Sequence, residues 1–265
     1  MPKERNDVNY FRNIWKSRNI ITSLVRQDLR SKYRGSVLGM FWTVLIPLGI
    51  TLIMATVYSI LWESDITYFI PYLFSGLTPW NYITDSCLGG SNSYIAAEGY
   101  IKQLPIDIQI FPVRYALGSW ISLLLGLLAY FVTTFFINSS MFTWYMLMAV
   151  PALFLFLLLG IVLSTLCSTA QVYLRDFTPM MSIILQGMFY VTPILYEYER
   201  MKDRGMSFIY EYNPFFYPIQ MLRDALMGKP PAANTWGGTL VFLLCLLPLS
   251  LYVFKRTHTK ISFKL

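Results

Sequence analysis

Hydrophobic and polar positions fall along this chain in long blocks. Val37 to Leu61 carries no charged side chain in 25 positions. At 1.5 Å per residue that run makes about 37 Å of helix, enough to cross a hydrocarbon core of about 30 Å with tilt. Read the same way, the chain predicts six crossings, over 38–61, 66–97, 111–137, 145–169, 178–196 and 236–254. Ahead of the first, residues 9–30 repeat Phe11, Ile14, Trp15, Ile21, Leu24, Val25 and Leu29 at helical spacing, with Arg12, Lys16, Arg18, Arg26 and Arg30 on the other side. Such a helix beds at a membrane surface.

The segments between crossings differ in kind. Trp62-Glu63-Ser64-Asp65 is a short acidic loop, and 98–107 suits a short surface helix. The second crossing carries Pro71, Pro79 and Gly89-Gly90 and is expected to kink or break. Asp85 lies in it among Asn81, Ser86 and Asn92, without an evident basic partner; a charge at that depth faces water or a partner, so this helix should line a polar cavity. Gly118, Ser122 and Gly126 stand four apart on the third crossing, and Gly160, Ser164 and Ser168 on the fourth. Stripes of this kind let helices approach closely, with neighbours the pattern does not name. Residues 197–235 hold five basic and five acidic side chains around an aromatic stretch, Phe208 to Pro218. A re-entrant segment between the fifth and sixth crossings is expected there, since irregular backbone at membrane depth must lie against protein or water.

Charge adds direction. Of 21 Lys and Arg, nine lie in 1–37, Lys102 and Arg114 lie before and at the start of the third crossing, Arg175 follows the fourth, and four lie in the tail 255–265. Positive charge stays inside, so both termini are expected in the cytoplasm of a multi-pass protein. With 55% hydrophobic and 13% charged residues the chain is an all-α integral membrane protein. The net charge of +7 is segregated by side, which argues for topology and against nucleic acid. No secretory signal is expected, since the first helix itself serves as targeting element. Cys87, Cys167 and Cys245 are spaced for neither disulfide nor metal, and His258 is the single histidine. No phosphate-binding GxxxxGK[ST] loop occurs, because Gly228-Lys229 runs into Pro230-Pro231. No cofactor or metal is expected on this chain, and a self-sufficient enzyme or pump is poorly supported.

Aromatic residues make up 17% of the chain. Tyrosine and tryptophan pair an apolar face with a polar edge, which suits a sugar that must slide; an interfacial belt explains part of the same set. The candidate substrate channel is Phe41, Trp42, Tyr58, Tyr72, Phe189 and Tyr190, with Asp85.

Arg34-Gly35-Ser36, preceded by Tyr33 and followed by Gly39, Trp42 and Pro47, resembles the segment leading into the first helix of ABC-2 type permeases. Gly76-Leu77-Thr78-Pro79-Trp80, Tyr173-Leu174-Arg175-Asp176, Thr192-Pro193-Ile194 and Asn213-Pro214 match further motifs of that family in order. The resemblance covers essentially the whole chain and is nearest to exporters of O-antigen and related polysaccharides. It implies one ABC-2 transmembrane domain over 1–265, comprising 1–37 at the interface, 38–254 in six crossings and the tail 255–265. It also implies a homodimer with two ABC ATPase subunits that bind the ATP, and an undecaprenyl-linked polysaccharide moved across the bacterial inner membrane among its lipids. Arg34, Tyr100, Ile101, Lys102, Leu104 and Asp107 would meet the ATPase. A teichoic-acid or capsule exporter of the same superfamily is the alternative. A membrane-bound acyl- or glycosyl-transferase would need a buried catalytic histidine or paired carboxylates.

Overall fold

The computed structural model describes residues 10–32, 34–104 and 106–265, and among them only helices and their connections occur. Residue 9 of the expected surface helix, Tyr33 and Pro105 lie outside the described residues, as does the Phe11 side chain. Helices α1 (Tyr10–Lys16) and α2 (Arg18–Lys32) come first. Ile21 and Val25 of α2 are buried while Arg18, Arg26 and Arg30 are exposed, as a two-faced helix requires. Gly35 and Gly39 then turn the chain at φ 81° and 52°, a region glycine enters without a side-chain clash.

A 3₁₀ turn, Gly39–Phe41, leads into α3 (Trp42–Leu61). Asp65 caps α4 (Ile66–Ser91). Hydrogen bonds from the backbone N–H and then the hydroxyl of Thr67 hold the Asp65 carboxyl below its ordinary range. Two short helices follow, α5 (Ser93–Ala96) and α6 (Glu98–Gln103), then α7 (Ile110–Ile137). The 3₁₀ turn Trp144–Met148 precedes α8 (Ala149–Tyr173), and α9 is Phe177–Val191. The segment between α9 and the last helix holds α10 (Tyr198–Asp203), α11 (Phe208–Glu211) and α12 (Phe216–Leu226). Last comes α13 (Ala233–Lys264).

Four helical stretches have the length and apolar composition to cross a membrane: Gly39–Leu61, Ile110–Ile137, Trp144–Tyr173 and Ala233–Ile261. The other two expected crossings differ from that pattern for separate reasons. Helix α4 is long but polar, and every residue from Phe69 to Trp80 is buried. It packs against α3, α7, α8, α9 and α12. Protein replaces lipid around it, so low hydropathy is tolerated. It is also one helix through Pro71 and Pro79, so of the expected kink or break the break does not fall there. Each proline costs about 3 kcal/mol in a helix interior, and enclosure on all sides offsets that. The break comes at Asn92, where Ser91 and Asn92 side chains both donate to the Leu88 carbonyl.

Helix α9 has the opposite character, apolar but only 15 residues long. The expected span to 196 ends early because Thr192, preceding Pro193, is extended, as a residue before proline tends to be. Helix α13 runs on through the basic tail for 32 residues. Part of each small-residue stripe faces α4, while Gly118 borders open space. A Cβ on Gly126 would lie 2.8 Å from Thr78, one on Gly160 would meet the Tyr82 hydroxyl, and Ser164 donates to the Ser86 carbonyl at 2.9 Å.

Two apolar clusters result. The larger joins α4, α7, α8, α12 and α13. The smaller joins Ile21 and Val25 of α2, Tyr94 of α5, Phe111 of α7 and Ile261 of α13, with Ile101 of α6 against it. That second cluster gathers α2, α6 and the basic end of α13 at one end of the molecule.

Candidate functional site

Helices α2, α3, α4 and α7 enclose a polar trench. Its first chamber, about 440 Å³, is bordered by Asp28, Lys32, Asp85, Asn92, Arg114 and Tyr115. The second, about 400 Å³, is bordered by Trp42, Pro47, Thr78, Asn81 and Asp85. Lys32, Asp85, Ser119 and Ser122 line both. Asp85, Asn81 and Thr78 share this wall because residues three and four apart on a helix face one way. Asp85 accepts a hydrogen bond from the Ser119 hydroxyl at 3.4 Å. Sequence left it without a basic partner; the fold brings Lys32 of α2 to the same cavity. Arg114 closes the trench at its α2 end with a two-pronged contact to Asp28, Nε to Oδ2 at 2.6 Å and Nη2 to Oδ1 at 2.8 Å.

A second polar centre lies at the opposite end of α4. Arg223 of α12 is 2% exposed. Its Nη1 donates to the Pro193 carbonyl at 2.6 Å, to the Tyr72 hydroxyl at 3.0 Å and to Gln220 at 3.3 Å, and its Nη2 to the Ile194 carbonyl at 3.3 Å. The guanidinium also lies 4.2 Å from the Tyr72 ring centroid. Among the described residues no carboxylate pairs with it. A Cβ on Gly76 would collide with Nη2, so only glycine leaves room. Beside it, the Asn213 amide donates to the Thr192 hydroxyl at 2.7 Å and the Phe215 N–H donates to Asn213 at 3.0 Å. Three separate sequence motifs, at Gly76, Thr192-Pro193 and Asn213-Pro214, thus converge on the seat of α12.

The proposed channel residues do not form one wall within this protomer. Trp42 and Asp85 border the trench. Phe41 is 70% exposed and Tyr190 57% exposed. Phe189 packs on Trp80 at 5.9 Å, and Tyr58 is half-buried against the core. Tyr72 is enclosed: its hydroxyl donates to the Tyr196 carbonyl at 2.7 Å and its face carries Arg223. In this conformation Tyr72 packs the core and offers no free face to a sugar. Of the expected ATPase contacts, Arg34, Tyr100, Lys102 and Leu104 are exposed and Ile101 and Asp107 half-buried. Lys102 pairs with Glu98 at 2.5 Å, and α6 sits on the same apolar cluster as α2. Arg223 escaped sequence reasoning, standing as one of five basic side chains in a segment expected to face outward; Gly76 was the only trace of it.

A helical body with four apolar spans around an enclosed central helix is that of an integral membrane protein, and the chain belongs to the ABC-2 type transporter family, which residues 20–227 match. It is 24% identical over 208 residues to a protein named O-antigen export system permease protein RfbA from Myxococcus xanthus, covering 78% of this chain and 80% of that one. To a protein of the same name from Klebsiella pneumoniae it is 25% identical over 214 residues, covering 79% and 81%.

Proposed function

We propose that this chain is the permease half of an ATP-driven exporter that moves a lipid-linked O-antigen-type polysaccharide across the bacterial inner membrane. The observation that carries this reading is the likeness to O-antigen permeases over about four-fifths of both chains. Six crossings, with both termini inside, count α4 as a span shielded by protein and α9 as a short one. The outer helices α10 to α12 then form the re-entrant segment. Two copies form the conduit. Helices α3 and α9 support that arrangement, because Leu185 is the one buried residue of α9 and much of α3 is exposed and apolar. Their aromatic side chains Phe41, Trp42 and Tyr190 stand bare on these faces. The undecaprenyl-linked glycan would slide there. Nucleotide hydrolysis belongs to two copies of a separate ATPase docked at Arg34 and the α6 region.

Depletion of the chain is expected to trap lipid-linked glycan on the cytoplasmic face. Trp42→Ala is expected to reduce surface glycan while leaving the amount of folded protein unchanged, since a lost ring–sugar contact is worth on the order of 1 kcal/mol. Normal surface glycan in the depleted cell defeats the reading.

A further inference from the structure

A groove of about 460 Å³ runs between α8, α9 and α13. Leu163, Leu166, Cys167, Phe177 and Val253 are among the side chains that make it almost wholly apolar. Along α8 it extends from Leu163 to Tyr173, a rise of about 15 Å. That is half of a hydrocarbon core of about 30 Å, so the groove is one leaflet deep. Phe215 closes its inner end, held against Trp80 at 5.9 Å and Phe242 at 5.6 Å.

The open end has a different chemistry. Thr257 lines the groove, and Lys260 and Lys264 follow it at i+3 and i+7, on the same helix face. Lys264 Nζ lies 4.0 Å from the Tyr173 ring centroid. Lys260, Lys264 and Arg175 are all exposed, with Asp176 the acidic neighbour in the turn. An apolar slot one leaflet deep thus ends at a basic, aromatic rim at headgroup height.

We infer that this groove seats one anionic glycerophospholipid of the cytoplasmic leaflet, an acyl chain in the slot and the phosphate at Lys260 and Lys264. Basic pockets between membrane helices hold anionic headgroups in this way. The inference rests on the proposed topology for its leaflet but makes no use of glycan export. The lipid would fill the space that separates α9 from α13.

Full-length chain in detergent, offered equal phosphatidylglycerol and phosphatidylcholine, is expected to retain phosphatidylglycerol selectively in native mass spectra and to melt higher with it. Leu166→Trp fills the slot and should abolish retention. A second arm guards against simple misfolding. Lys260→Gln with Lys264→Gln, both at exposed positions, should weaken retention roughly fivefold per lysine with helicity unchanged. Equal retention of the two lipids, or retention unaltered in both variants, overturns the proposal while leaving the export reading standing. Labelling of Lys260→Cys from outside intact cells overturns the leaflet assignment and the topology together.

Discussion

Two arginines tie flanking helices to the membrane body, and they do so by opposite means. Arg114 meets the carboxylate of Asp28 in a two-pronged pair whose side chains are 21% and 40% exposed. Arg223 is sealed among carbonyl oxygens, amide oxygen and a tyrosine ring. At the α2 end water shares the burden of solvation, so the pair contributes modestly. At the α12 end the protein supplies what solvation there is, with Nη1 and Nη2 bonded and Nε buried without a partner, and Gly76 leaves the room that the guanidinium occupies. A buried charge held this way fixes one arrangement of α12 far more strictly than a surface pair fixes α2, because removing any one partner leaves the others unsatisfied.

That contrast is open to measurement by thermal unfolding in detergent. Arg223→Met should destabilise most, by about 3–5 kcal/mol, as expected for breaking a buried hydrogen-bonded charge network. A loss below that of Asp28→Asn would reverse the ranking. Gly76→Ala should follow at about 1–3 kcal/mol, the scale of overpacking. Combined with Arg223→Met it should add little, since the methyl then meets no guanidinium; additive losses would mean that Gly76 matters for another reason.

Asp224, next in the chain, sharpens the picture through pH. Burial pushes its carboxyl up to about 6, opposed by the Gln220 amide donating at 2.7 Å and then by the Arg223 charge. A carboxyl raised above its unfolded value of 3.8 disfavours the folded state once ionised. Stability contributed by this group therefore falls as pH rises from about 4 to about 6. Asp224→Asn should flatten that slope and stabilise at neutral pH by on the order of 1 kcal/mol. Asp28→Asn should have the smallest effect, under about 1 kcal/mol and diminishing with salt; a larger loss insensitive to salt would place the pair with Arg223.

Much of this architecture could be read from residue order, and the limits have physical causes. Spans facing lipid announce themselves by hydropathy, as 38–61 and 111–137 do against α3 and α7. The central helix does not, because its environment is other helices. Its polar residues suggested a water-lined wall, which Asn81 and Asp85 do border, while Ser75 and Ser86 are buried. Glycine stripes indicated close packing but carried no partner's name; Gly126, Gly160 and Ser164 turn out to meet α4. Aromatic content could not separate a bare ring such as Phe41, in the turn that enters α3, from an enclosed one such as Tyr72, since both lie in uncharged stretches. The inward turn of Arg223 depends on α12 folding back over Gly76, a long-range contact that local pattern does not encode.

Helix α9 has one further consequence. Its 15 residues rise about 22 Å, some 8 Å short of an average hydrocarbon core of about 30 Å. Where α9 crosses as proposed, lipids beside it must shorten their chains or the bilayer surface must dimple, at fractions of a kcal/mol per Å of mismatch. On that proposed topology, a helix that thins its own solvent lowers the barrier a polar passenger would meet along that flank, and the membrane itself becomes a yielding part of the proposed route.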